Sequence, residues 1–293
     1  MAGRQVALYF AWSRADEVAA PLGILEGRFP ALFELRRLFW PRFEPLADPV
    51  KFDQGVGGFL DHVQLPNFRL FAELAASWTG NPVRQAERGT DAGLCPLDGE
   101  FLTGVDTLVI ISFDSSRTRQ RPSGAEIGAI LAFLDDPDHT LFVCPHHDIG
   151  NIDELPEGER LARQELEFHH HGDPAIPARQ CFGDFGISLL AELGLQVRNR
   201  FGLRPAKLPD GSPAPLGVDS GVDRSGLMDG VTTFNLHAHL PHFERLGDSV
   251  AKLDVLARQP IDPGAPPHPF TAGGDGISMP CCNQEPMFFA AAC

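Results

Sequence analysis

The alternation of apolar and polar positions divides this chain into recognisable elements. Residues 4–12, RQVALYFAW, form a short apolar run that predicts a first strand. Residues 105–114, VDTLVIISFD, are continuously apolar and rich in β-branched side chains, the pattern of a strand buried on both faces. Ser123 then opens SGAEIGAILAFLDD with Glu126 three residues on, a capping-box spacing. Ile127, Ile130, Leu131, Phe133 and Leu134 make one helical face, and HTLFVC at 139–144 predicts the next strand. Strand, helix and strand in such quick succession predict a βαβ unit with parallel strands and a right-handed crossover.

Elsewhere the pattern is weaker. FPALFELRRLFW at 29–40 has near-helical spacing, and 58–78 predicts two helical pieces broken near Pro66. Residues 79–104, rich in Gly, Asp and Pro, read as a long excursion. A charged helix is expected over 154–171, and an amphipathic one over 184–195, stopped by Gly194. Strands are expected at 195–201, 231–240, 253–258 and 287–293, with a loop or extended edge over 207–226. The last of these strands is expected either at a sheet centre or before a continuation of the chain. Together these elements predict one α/β domain over 1–293, with excursions at 40–104 and 146–182. Its sheet is expected to be open, mostly parallel and flavodoxin-like, with helices on both faces.

Composition narrows the partners. With 293 residues, 43% of them hydrophobic, the chain can bury a large core. A formal net charge of -15 disfavours nucleic acid and anionic membrane, which need clustered Lys and Arg. No run of 18 apolar residues occurs, so no membrane span is expected. The N-terminus, MAGRQVALYFAWSR, lacks the apolar stretch of a signal peptide, and a cytoplasmic location follows as the expectation. The six cysteines show no CxxC spacing and most are expected to be reduced and structural, and a vicinal disulfide between Cys281 and Cys282 would be strained. GVGGF at 55–59 lacks the context of a dinucleotide motif and no P-loop is present, so no nucleotide cofactor is expected.

Candidate chemistry gathers where strands end. In open α/β sheets ligands bind at the carboxyl ends of the strands. The strand at 139–144 ends in Cys144, Pro145, His146, His147 and Asp148. In VTTFNLHAHL, a period of two puts His237 and His239 on one face, a spacing that offers two imidazoles to one metal ion. His146, His147, His237 and His239 are therefore candidate ligands, with Asp148 as a further ligand or general base. Zinc suits this set, with iron second. Any one of these histidines has an alternative role as a surface or hydrogen-bonded core residue. Cys144 is a candidate nucleophile if an imidazole lowers its pKa, and otherwise a small apolar residue closing a strand. Asp114, Ser115 and Arg117 follow one strand and Arg14 follows another, so an anionic substrate group is within their expected reach. His169–His171 read as carbonyl caps at a helix end, and Asp61–His62 as structural.

Taken in order, SGAEIGAILAFLDDPDH, TLFVCPHHD, FGDFGISLLAELGLQVRNRFGL and GLMDGVTTFNLHAHL resemble the class I glutamine amidotransferase-like superfamily and its trehalose-utilisation (ThuA-like) relatives over residues 105–258. The resemblance implies a flavodoxin-like sheet, and puts Cys144 where amidotransferases carry their nucleophile. The family's glycine after that cysteine is Pro145 here, and its His-Pro-Glu segment has His242, Phe243 and Glu244 in its place. The leading expectation is a metal-assisted hydrolase or lyase acting on a small polar molecule at the carboxyl edge. The alternatives are a Cys144-dependent amidase and a non-catalytic binding module. Oligomeric state is left open by the sequence.

Overall fold

A computed structural model describes residues 3–13, 65–90, 92–112, 121–144, 185–203, 205–231, 240–264 and 287–290. Its contacts group the chain into two compact units, Met1–His146 with Ile152–Leu189, and His147–Asn151 with Leu190–Cys293.

The first unit is built on a mixed, mostly parallel sheet of five strands with helices, an α/β arrangement. Its strands are β1 (Val6–Ser13), β2 (Arg84–Thr90), β3 (Gly93–Leu94), β4 (Thr107–Ser112) and β5 (Thr140–Cys144), in the spatial order β3-β2-β1-β4-β5. β1 runs parallel to β2 and β4, and β5 parallel to β4; the two-residue β3 is antiparallel to β2. β1 is central and every one of its residues is buried, which suits its apolar sequence. Its alternation serves two faces. Phe10 stacks on Trp12 with centroids 4.7 Å apart and meets Phe68 edge-on at 5.4 Å. Tyr9 instead packs against Phe101 at 5.6 Å and Phe185 at 6.2 Å. Leu108 and Ile110 of β4 complete the centre, each fully buried and each contributing roughly 2 kcal/mol by burial.

The predicted βαβ unit is present. Helix α3 (Gly124–Leu134) joins β4 to β5, and Ser123 with Glu126 forms the full reciprocal capping box. The helix buries Glu126, Ile130 and Phe133. After it, His139 stacks on Phe133 at 4.3 Å and its Nδ1 lies 2.7 Å from the Phe133 carbonyl oxygen, so this imidazole serves the turn into β5.

One expectation in this unit is corrected. Residues 79–104 are not an unstructured excursion: they hold β2, β3 and the short helix α2 (Gly99–Leu102), capped by the Asp98 carboxylate on the Phe101 N–H. β2 reads RQAERGT, without apolar alternation, and its place in the sheet comes from backbone pairing with β1. Helix α1 (Leu65–Thr79) carries Pro66 in its first turn, where a missing N–H breaks no helical bond, and residues 58–64 of the helical pieces expected there lie outside the described residues. The predicted helices at 29–40 and 154–171 lie outside the described residues.

Helix α4 (Phe185–Glu192) ends as its sequence predicts. Gly194 takes φ 76°, the Leu195 N–H donates to the Leu190 carbonyl (2.8 Å), and the Gly194 N–H donates to Ala191 (3.0 Å). These are the paired bonds of a Schellman termination.

The second unit departs from the parallel expectation. β6 (Val197–Leu203) pairs antiparallel with β8 (Leu240–Arg245), and β7 (Gly217–Val218) and β10 (Met287–Ala290) flank β9 (Asp254–Arg258), both antiparallel to it. Strand direction is set by connections, and the loop-rich segments here supply no helical crossover between these strands among the described residues. β10 is the outer strand of its sheet among the described residues, not a central one. Residues 232–239 of the strand expected at 231–240 lie outside the described residues, and Pro241 lies inside β8. Among the described residues β8 has β6 as its sole strand partner, an edge position that tolerates proline. Helix α5 (Ser249–Lys252) precedes β9, and the Ser249 hydroxyl accepts from the Gln196 N–H at 2.6 Å. No described helix is long and apolar enough to cross a membrane.

Candidate functional site

The parallel strands of the first unit all end at one edge. Register places Ala11 beside Ser112 and Ile111 beside Cys144, so the carboxyl ends of β1, β4 and β5 are adjacent there. β1 connects to β2 on one side, while β4 lies on the other, so the edge between β1 and β4 is a switch point of the topology.

The end of β1 is locally reshaped. Phe10 pairs with Glu87 and Ser13 with Gly89, so Ala11 and Trp12 stand opposite Arg88 alone, the extra residue of a bulge. The bulge presses Ser13 onto Gly89, where an added Cβ would come within 2.7 Å of the Ser13 hydroxyl and 2.8 Å of its Cα. The Trp12 indole N–H donates to the Glu87 carboxylate at 2.8 Å. At the end of β4, the buried Ser112 hydroxyl accepts from the Gly186 N–H at 2.6 Å, tying the first turn of α4 to this edge.

Below the edge lies a buried ion pair. Arg88 donates to Glu126 from Nε (3.2 Å) and Nη2 (2.9 Å), and both residues are under a tenth exposed. Glu126 also accepts from the Leu97 N–H (3.2 Å) and the Ser123 N–H (2.7 Å), with the Tyr9 hydroxyl at 3.5 Å. Arg88 Nη2 reaches the Arg121 carbonyl (3.2 Å), and the guanidinium lies 5.4 Å from the Phe185 ring centroid, a cation–π distance. Burial alone would raise the Glu126 pKa, but the hydrogen bonds from Arg88, Ser123 and Leu97 and the Arg88 charge outweigh it and hold the carboxyl below its ordinary range. Tyr9 is pushed far above the usual phenol range, first by burial and then by the neighbouring Glu126 charge. It therefore stays a neutral donor, its hydroxyl donating a hydrogen bond to the Cys95 carbonyl at 2.8 Å.

Of the residues singled out in the sequence, Cys144 is described. It closes β5, and its side chain keeps solvent access. Even so, the protein around it desolvates the thiol and raises its pKa. Desolvation works against the thiolate, and His146 and His147, the imidazoles that would oppose it, lie outside the described residues. Arg14, Asp114, Ser115, Arg117, His146, His147, Asp148, His237 and His239 lie outside the described residues. Among the described residues, no three His, Cys, Asp or Glu side chains are grouped to hold a metal ion.

The sequence reading did not identify Arg88, Ser112 or the wider role of Glu126, which it took only as a helix cap. Arg88 and Glu126 are 38 positions apart, and nothing local in either segment points to the other. The one usable signal was an arginine inside a polar segment just before a glycine. The chain matches no protein-family model, no curated protein and no solved structure.

Proposed function

We propose that the carboxyl edge of the first unit's sheet binds a small polar molecule and that the protein is a metal-assisted hydrolase or lyase. The observation that carries the site is the parallel order β2-β1-β4-β5, which sets the ends of β1, β4 and β5 side by side around a switch point. Such an edge is where open α/β sheets take their ligands. The order is that of an open, mostly parallel sheet, as a flavodoxin-like fold would have, and the amidotransferase-like resemblance rests on the sequence patterns alone. In chain order, each strand end leads directly into candidate residues: Arg14 after β1, Asp114, Ser115 and Arg117 after β4, and His146, His147 and Asp148 after β5.

The metal chemistry rests on the residue types alone. His146, His147, His237 and His239 would hold the ion, zinc or iron, with Asp148 as a further ligand or general base, and the chemistry such an ion would supply is a water acidified toward a pKa of about 7. Cys144 is not the nucleophile in this reading, in keeping with its raised pKa.

Elemental analysis of the purified chain tests this. About one zinc or iron per chain is expected, lost in both His146→Ala/His147→Ala and His237→Ala/His239→Ala. A chain that stays metal-free in metal-supplemented buffer removes the metal mechanism. Rapid alkylation of Cys144 at neutral pH would then favour the amidase reading, and slow alkylation the non-catalytic binding module.

A further inference from the structure

We propose that Arg88 and Glu126 are a positioning pair, holding residues 95–97 and 121–126 in one fixed arrangement beneath the carboxyl edge of the sheet. The assignment to that site rests on the functional reading above; the holding itself rests on the contacts. Glu126 gathers donors from three separate places, Arg88 in β2, Leu97 in the segment after β3 and Ser123 at the start of α3, and the Tyr9 hydroxyl of β1 lies 3.5 Å away. Arg88 adds the Arg121 carbonyl and the Phe185 ring. Tyr9 holds the same segment at the Cys95 carbonyl. A single carboxylate, 1% exposed, is thus where the segment, the helix start and two neighbouring strands meet.

Stability alone does not account for burying this pair. Replacing a buried ion pair by apolar groups of similar volume is often neutral or stabilising, because desolvation offsets most of the attraction. What apolar groups cannot do is aim hydrogen bonds at the Leu97 N–H and the Arg121 carbonyl. Removing the pair should therefore leave the sheet folded while the 95–97 and 121–123 segments lose their fixed positions together.

Cys95 reports on this directly, since it is a half-buried cysteine in the held segment. The experiment alkylates the full chain at fixed pH and reads Cys95 by peptide mass spectrometry, beside thermal unfolding. Glu126→Gln, which keeps side-chain volume and an acceptor, should lower the melting temperature by a few degrees and raise Cys95 labelling on the order of tenfold. Arg88→Met/Glu126→Leu should recover the melting temperature while labelling stays raised. Ile110→Val, a core change of modest cost, should leave Cys95 labelling near wild type. If the double variant restores slow labelling, or if labelling follows melting temperature alone across the three variants, the pair is structural only and the proposal fails. Metal content is measured on the same samples; its absence would sink the metal reading above without touching this result.

Discussion

β2 and β4 both run parallel to β1, one on each side, yet they are built from opposite materials. β4 reads TLVIIS and places Leu108, Val109 and Ile110 in the core. β2 reads RQAERGT and buries an arginine and a glycine. The difference follows from what each strand carries. β4 lies between β1 and β5 and is held by apolar packing. β2 is flanked on its outer side by the two-residue β3, and its polar side chains reach specific partners: Glu87 accepts from Trp12, and Arg88 binds Glu126. Backbone pairing makes a strand of either sequence, while side chains decide whether it is held by area or by direction.

Removing one side chain from each strand's support separates the two modes. Glu126→Ala leaves the Arg88 guanidinium buried without its carboxylate, and a broken buried pair costs about 3–5 kcal/mol. Ile110→Ala deletes fully buried apolar atoms at the centre of β4, for about 2–5 kcal/mol. Denaturant unfolding measures both. The distinguishing result lies in repair: the loss at Glu126 should be recovered when Arg88 is also made apolar, whereas no partner substitution restores Ile110. If Glu126→Ala costs under about 1 kcal/mol, the pair does not hold β2 in the way its contacts indicate.

The same contrast explains how much of the fold was legible. β4, α3 with its capping box, β5 and the stop at Gly194 were readable because burial on a sheet or helix face imposes a period on the residues themselves. β2 was not, because RQAERGT carries no period; its evidence is the partner strand, dozens of residues away. Pro241 falls just past the strand expected at 231–240, yet among the described residues it lies on an edge strand, where no backbone donor is needed. The antiparallel second unit was missed because direction resides in connections rather than in strands. For the site, strand ends were legible and with them Cys144, while the Arg88–Glu126 pair was invisible because neither segment marks the other.

A second break targets the closeness of β1 and β2. At Gly89 the Ser13 Cα and Cβ each lie 2.8 Å from where a new Cβ would stand, and these are atoms of a buried, paired strand rather than a flexible tip. Gly89→Ala should therefore cost about 1–3 kcal/mol through forced displacement, despite alanine's smaller loss of backbone entropy. A neutral or stabilising result in the unfolding curve would mean that β1 relaxes freely at its bulge, and that the seat of Ser13 is not fixed by Gly89.

The mildest test sharpens the comparison at α3. Ser123 and Glu126 cap the same helix, but they do unequal work. The Ser123 hydroxyl accepts a single bond, from the Glu126 N–H at 3.3 Å, whereas Glu126 takes the Ser123 N–H at 2.7 Å and serves Arg88 and Leu97 besides. Ser123→Ala removes the first bond and leaves the second, since that donor is backbone. Its expected cost is about 1 kcal/mol, the ordinary loss of an N-cap, and Cys95 labelling should stay near wild type. Thermal unfolding beside alkylation reads both. A labelling increase as large as that of Glu126→Gln would locate the segment's order in the helix cap itself, leaving the ion pair no separate part in holding it.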